Sequence, residues 1–212
     1  MNAATGNGTV FVVDDDASFL KSLARLLRAA GYAVQTFESA AALLSHLTPE
    51  TTGCVVTDLQ MPGSNGLELQ AALAQLANPL PVIFLSGQAD IPTSVRAMRR
   101  GAEDFLTKLS PKEELLAAVQ RALARDAQER QQRAQQRELR ARFAVLTPRE
   151  LEVLRHVVNG WQNKQIAGEL GIGLRTVKLH RTNLTRHLRV QSVAELTRLV
   201  AEAGIFQPES SR

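Results

Sequence analysis

The sequence predicts two domains: an α/β domain built on a doubly wound five-stranded parallel sheet, and a separate all-α helix-turn-helix domain. Three observations predict this. Short apolar runs alternate with amphipathic stretches over residues 1–124, an Arg- and Gln-rich polar run fills 125–142, and residues 143–212 carry helical periodicity broken by glycine turns. A chain of 212 residues is long enough for two hydrophobic cores.

The apolar runs fall at Thr9–Asp14 (TVFVVD), Tyr32–Phe37, Cys54–Thr57 and Pro81–Leu85, with a weaker one at Asp104–Leu106. Their length and β-branched content predict strands. Amphipathic stretches at Ala17–Ala30, Ser39–Leu47, Asn65–Ala77 and Ile91–Arg100, and one opened by Pro111, predict helices, with Gly31 and Gly101 at two C-termini. Strands that alternate with helices form a parallel sheet covered on both faces, and such sheets place their sites beyond the carboxyl ends of the strands. From Pro111 the pattern starts apolar (Leu115, Leu116, Val119, Leu123) and then becomes RDAQERQQRAQQRELRAR. Residues 125–142 therefore read as an exposed helical linker, with a partner-dependent coiled coil or disorder as the alternatives. The closing segment GIFQPESSR reads as a frayed tail.

Charge separates the domains. Residues 1–124 hold 9 Lys and Arg against 12 Asp and Glu, whereas residues 143–212 hold 10 against 6. The basic half is the one suited to a polyanion. The single cysteine, Cys54, lies in an apolar run, which excludes an intrachain disulfide and predicts a buried thiol. No stretch approaches the length of a membrane span and none resembles a signal peptide, so the expectation is a cytoplasmic protein with no membrane contact.

The strand ends carry the chemistry. Asp14, Asp15 and Asp16 follow the first strand, Asp58 ends the third within VVTDLQMPGSNG, Ser86 ends the fourth (IFLSG) and Lys108 ends the fifth (FLTK). Carboxylates gathered at one rim repel one another unless a hard cation neutralises them, and Mg²⁺ suits oxygen ligands and phosphoryl groups. Asp16, just ahead of a helix, reads as its N-cap. Taken singly, a serine or lysine at such places is a turn or surface residue; the order of the set is what points to a site.

That order, an acid pair, an aspartate, a hydroxyl and a lysine, resembles the CheY-type receiver domain over about residues 8–124. The resemblance implies strand order 2-1-3-4-5 and makes Asp58 a phosphoacceptor. It assigns Mg²⁺ to Asp15, Asp58 and the Gln60 carbonyl, with Asp14 assisting through water, and gives the phosphoryl group to Ser86 and Lys108. Phosphoryl transfer to a carboxylate needs mainly positioning and charge neutralisation, which such a set supplies. Phe105 is either a core aromatic or the switch aromatic that receivers carry there. Receivers usually place a cis proline after the lysine, whereas this chain has Leu109, so the expectation is a trans, reshaped loop.

In the last third, LTPRELEVL opens with Thr147 as cap, Pro148 at the first helical position and Glu150 in reach of the cap. NKQIAGEL, a turn with Gly171 and Gly173, and LRTVKLHRTNLTRHL have helix-turn-helix spacing. LTPRE, NKQIA, TVKLH and SVAEL resemble the LuxR-type output domain of FixJ-like regulators over about residues 143–204. Periodicity independently turns Val177, Leu184 and Leu188 inward and Arg175, Lys178, Leu179, Thr182 and Arg186 outward. Lys178 suits guanine edges, Leu179 a thymine methyl, and Arg175 and Arg186 phosphates; Lys164, Thr176 and Arg181 complete the candidate DNA-binding set. The bland alternative is a solvated charged face. His180 reads as packing or phosphate-facing, and Trp161 and Ile166 as core.

Together these readings predict a non-enzymatic response regulator that binds double-stranded DNA. The resemblance supplies its partners: a sensor histidine kinase, RNA polymerase, and a second copy of the chain on phosphorylation. Two rivals remain: a DNA-binding regulator whose receiver works without phosphate, motivated by Leu109, and a haloacid-dehalogenase-type phosphatase, motivated by Asp14, Asp16 and Ser18.

Overall fold

The structure, a computed structural model, describes residues 8–87 and 91–206. The chain divides into two compact units, residues 1–131 and 132–212.

In the first unit, strands β1 (Thr9–Val13), β2 (Ala33–Phe37), β3 (Gly53–Asp58), β6 (Val82–Ser86) and β7 (Asp104–Thr107) form one parallel sheet in the order β2-β1-β3-β6-β7. This is the expected 2-1-3-4-5 order of the five main strands. A short antiparallel hairpin, β4 (Gln60–Met61) with β5 (Ser64–Asn65), follows β3; it is absent from the sequence expectation because two-residue strands leave no periodic signal. Helices α1 (Ala17–Ala29), α2 (Ala40–His46), α3 (Gly66–Leu73), α4 (Ile91–Arg99) and the start of α5 (Lys112–Phe143) alternate with the strands.

Two apolar layers bury the sheet. On one face Phe11, Val13, Val55 and Phe84 pack with Leu43, Leu69 and Leu73; on the other Val10, Val12, Val56 and Ile83 pack with Leu23, Leu27, Ala118 and Val119. Successive residues of a strand thus serve opposite layers. Cys54 is fully buried in the second layer, as expected, and burial pushes its thiol pKa up.

Two glycines permit close approaches. Gly53 opens β3 at φ +142, and a Cβ there would stand 1.8 Å from the Thr9 carbonyl oxygen. Gly66 starts α3, where a Cβ would stand 2.5 Å from the Asp58 carbonyl oxygen. Asn65 and Glu68 cap that helix reciprocally, so α3 begins hard against the strand end that carries Asp58.

Helix α5 is continuous from Lys112 to Phe143, so residues 125–142 are helical but begin no separate element. Nor is this stretch exposed on every face. Asp126 is 2 % exposed and accepts a hydrogen bond from the Gly53 N–H at 3.1 Å while pairing with Arg130 at 3.0 Å. Phe143, at the far end, is buried in the core of the second unit. An aspartate in a polar run looks solvated because the strand end it meets lies 73 residues away.

The second unit contains α6 (Pro148–Val158), α7 (Asn163–Leu170), α8 (Leu174–Leu188) and α9 (Val193–Ala203). Thr147 and Glu150 form the expected capping box with Pro148 in the first turn. Val177, Leu184 and Leu188 are buried with Val153, Leu154, Ile166 and Leu196, so the inward stripe of α8 is where periodicity put it. Trp161 departs from expectation. It is 36 % exposed and lies on His156, with ring centroids 4.6 Å apart, because it sits in the loop after α6 and outside the core stripe. Gly204 caps α9, and Ile205 and Phe206 pack on the core, so the expected frayed tail starts no earlier than residue 207, outside the described residues. Arg189 caps α8 in the left-handed conformation at φ 54 without being glycine.

Two stability predictions follow from these buried carboxylates. Asp126→Ala removes the acceptor of a buried N–H, and urea unfolding of the first unit should lose about 1–3 kcal/mol; an unchanged midpoint would refute the contact. Burial works against the Glu150 carboxylate, but hydrogen bonds from Thr147, aided by His187 and His180, outweigh it and hold its pKa below the ordinary carboxylate range. A carboxyl depressed on folding stabilises above its unfolded pKa and loses that contribution as pH falls through the folded value. Melting of the second unit should therefore fall as pH drops through and below the ordinary carboxylate range, and Glu150→Gln should flatten that slope. Equal slopes in both proteins would contradict it.

Candidate functional site

Parallel pairing puts Val13 beside Thr57 and Asp58 beside Leu85, while Ser86 lies beside Thr107. The next residues along these strands therefore meet at one rim. Oxygens of Asp14, Asp15 and Asp58 lie within 4.8 Å of one another. Asp14 is 1 % exposed and Asp15 is exposed; the Asp58 side chain is 12 % exposed. Like charges at this spacing repel by about 3 kcal/mol at an effective dielectric of 20.

Lys108 answers part of that charge. Its Nζ lies 2.6 Å from Asp14 Oδ2 and 2.8 Å from Asp58 Oδ2. Burial disfavours its charged form, yet the hydrogen bonds to Asp14 and Asp58 prevail and its pKa stands above the ordinary lysine value. Three carboxylates against one ammonium still leave net negative charge. The donor set is all oxygen, one ligand is open to water, and a divalent hard cation fits it. Asp14, Asp15 and Asp58 would hold Mg²⁺. The Gln60 N–H donates to Asp58 Oδ1 at 3.3 Å, which brings the Gln60 backbone to the same rim.

The other predicted residues lie nearby. Ser86 is buried at the end of β6, and its carbonyl accepts the Lys108 N–H at 2.9 Å. Phe105 on β7 is half-buried, its ring 5.9 Å from that of Phe84. Asp16 caps α1 as expected, accepting from the N–H groups of Ser18 at 2.8 Å and Phe19 at 3.1 Å. Among the described residues there is no cis peptide, so the bond to Leu109 is trans, and Leu109 is 92 % exposed. The departure at Leu109 does not remove the lysine from the site. Phe19 escaped sequence reasoning: its ring lies 4.4 Å from Lys108 Nζ. The signal was present, since Asp16 as N-cap fixes which way the first turn of α1 faces.

In the second unit α7, the turn Gly171–Gly173 and α8 form a helix-turn-helix, with Gly171 left-handed at φ 62. Lys164 on α7 and Arg175, Thr176, Lys178, Leu179, Thr182 and Arg186 on α8 are exposed. Arg181 differs: it is half-buried and donates to Asn163 Oδ1 at 2.8 Å, bracing α8 against α7. Leu179 is 59 % exposed in a basic surrounding, where an aliphatic side chain has no packing reason to be. His180 is half-buried.

Comparison with known proteins agrees with both halves. Residues 10–120 match the response regulator receiver domain, and residues 144–200 match the bacterial regulatory proteins of the luxR family. Nodulation protein W of Bradyrhizobium diazoefficiens is 42 % identical over 95 % of this chain and 89 % of its own length. The transcriptional regulatory protein FixJ of Azorhizobium caulinodans is also 42 % identical, over 92 % of this chain and 93 % of its own. Among solved structures, the response regulator StyR shares 46 % identity with a TM-score of 0.78, covering 92 % of this chain and 98 % of that one. Receiver and helix-turn-helix lie in one polypeptide and match relatives along nearly their whole length, so the chain belongs to the two-component response regulators that carry a LuxR-type DNA-binding domain.

Proposed function

We propose that a sensor histidine kinase phosphorylates Asp58, and that this switches dimerisation and sequence-specific DNA binding by the second unit. The carrying observation is the convergence of Asp14, Asp15, Asp58 and Lys108 at one strand-end rim, with Lys108 Nζ 2.8 Å from the proposed nucleophile. An Asp58 carboxylate oxygen attacks phosphorus, the P–N bond of the kinase phosphohistidine breaks, and the imidazole nitrogen keeps its electron pair. Bound Mg²⁺ supplies charge neutralisation for the phosphoryl oxygens. Asp15, Asp58 and the Gln60 carbonyl would hold it, with Asp14 assisting through water, while Lys108 and Ser86 bind the phosphoryl group that then sits on Asp58.

Phosphorylation removes Lys108 from its pair with free Asp58, draws the Ser86 hydroxyl toward the new oxygens and Phe105 inward, and changes the face built from the last two strands and helices. Phe105 lies on β7 beside α4, whose Ile91, Val95 and Met98 form an exposed apolar stripe at helical spacing. A second copy of the chain covers this stripe. Two output units then meet paired half-sites on DNA, with RNA polymerase as a further partner and the cytoplasm as the compartment. No helix among the described residues is long and apolar enough to cross a membrane. On the DNA, Lys178 reads base edges, Leu179 meets a thymine methyl, Arg175 and Arg186 hold phosphates, and Lys164, Thr176 and Thr182 flank them. Arg181 acts mainly through Asn163.

Asp58→Asn should fold normally and lose all acid-labile phosphate when treated with the cognate kinase or acetyl phosphate; label kept at the unsubstituted level sinks the assignment. Asp15→Ala should raise the Mg²⁺ concentration needed for labelling at least tenfold, measured by magnesium titration of the initial rate. For DNA, Lys178→Ala should lose roughly 1–3 kcal/mol on the specific site and relax preference at one position of each half-site. Arg186→Ala should weaken all sequences about equally and flatten the salt dependence. Titrations on specific and scrambled duplexes at several salt concentrations separate the two, and full discrimination by Lys178→Ala would overturn the helix orientation.

A further inference from the structure

The ammonium of Lys108 is held from two sides of different character. One side is ionic, Asp14 Oδ2 at 2.6 Å and Asp58 Oδ2 at 2.8 Å. The other is the face of Phe19, whose ring centroid lies 4.4 Å from Nζ. That distance is within the range at which an aromatic face attracts a cation. Phe19 is fixed independently of the lysine. Its backbone N–H is bound by the Asp16 cap, and its ring packs on the apolar layer beneath α1. A cleft of about 190 Å³ continues this surface, lined by Phe19, Leu23, Leu26, Leu85, Leu115 and Lys108, so the aliphatic stem of the lysine borders apolar side chains while its head meets carboxylates.

The loop beyond the lysine does little to hold it. Leu109 is 92 % exposed and packs on nothing that would fix Lys108. The local brace is Ser110, whose Oγ accepts the Thr107 N–H at 3.2 Å and lies 3.1 Å from Thr107 Oγ1. These contacts secure the backbone but leave four side-chain torsions of Lys108 to be set by what surrounds its head. Both carboxylates are also proposed ligands of a divalent cation and, in the case of Asp58, the proposed site of phosphorylation. A cation held by these carboxylates competes with Nζ for their charge, and phosphorylation removes the free Asp58 carboxylate from its pair, whereas the ring face takes part in neither event.

We infer that Phe19 is a positioning residue for Lys108: its ring face keeps the ammonium at the rim when Asp14 and Asp58 are engaged elsewhere, so that it meets the incoming phosphoryl oxygens. This rests on the reading of Asp58 as phosphoacceptor. The ring also shields one side of the ammonium from water, which strengthens what the other side can do.

The test compares Phe19→Leu, which keeps an apolar side chain but removes the π face, with Phe19→Tyr, which retains it. Initial rates of Asp58 labelling by acetyl phosphate should fall roughly three- to thirtyfold in the leucine variant, in line with the range of cation–π attractions, and stay within about twofold in the tyrosine variant. Thermal melting should move little in either, which separates positioning from loss of fold. In parallel, carbon–proton NMR spectra of the unphosphorylated protein should show the Lys108 ε-methylene protons shifted upfield by the ring, with that shift lost in Phe19→Leu and kept in Phe19→Tyr. Wild-type labelling by Phe19→Leu, or equal slowing in both variants, overturns the inference. If the unsubstituted chain takes no label, or Asp58→Asn still does, the phosphoacceptor reading fails on its own, and unchanged Lys108 shifts in Phe19→Leu would then overturn the Phe19 contact separately.

Discussion

The side-by-side register of four parallel strands is the constraint from which the site follows. β1, β3, β6 and β7 run in one direction, so the residues at and just past their carboxyl ends cannot avoid one another. Asp14 and Asp58 belong to neighbouring strands, and Lys108 arrives two strands further on with a side chain long enough to reach both. A sheet that turned back on itself would scatter these groups. The same directionality requires helical crossovers, and their apolar faces bury both sides of the sheet. Stability and placement of charge therefore share one cause.

The cost of that placement is electrostatic. Burying Asp14 next to two other carboxylates removes water from a group that needs it. The lysine offsets this only in part, and the oxygen-only donor set that remains is of the kind that suits a hard divalent cation. Around the rim, small local devices hold the geometry. Gly66 lets α3 start against Asp58, the Asn65 cap fixes that start, and the Asp16 cap aims Phe19. None of these belongs to the proposed phosphoryl site, and each sets where one of its groups stands.

Much of this is legible in the amino-acid sequence. Strand and helix order follow from periodicity because each element has one partner layer and a repeat of its own. The rim residues are legible because they come one after each strand, and the inward stripe of α8 because Val177, Leu184 and Leu188 keep helical spacing. What escaped depends on distance in sequence. Asp126 looks solvated until Gly53 is placed above it, and Arg181 looks like another outward cation until Asn163 meets it. Trp161 reads as core in the sequence, although a loop position one residue past Gly160 gives it no stripe to join. The β4–β5 hairpin is too short to leave a repeat.

Cys54 sits in β3, the middle strand, with β1 on one side and β6 on the other. Its thiol is fully covered and is kept from ionising by burial, so a thiol reagent has nothing to attack while the sheet is closed. Modification must wait for the central strand to part from its neighbours. The chain has no other cysteine, so its thiol reactivity is a clock for one event. Ticks of that clock count the rare openings of the sheet's centre, and because β3 also ends in Asp58, they report how often the strand that bears the proposed acceptor lets go of the rest of the domain.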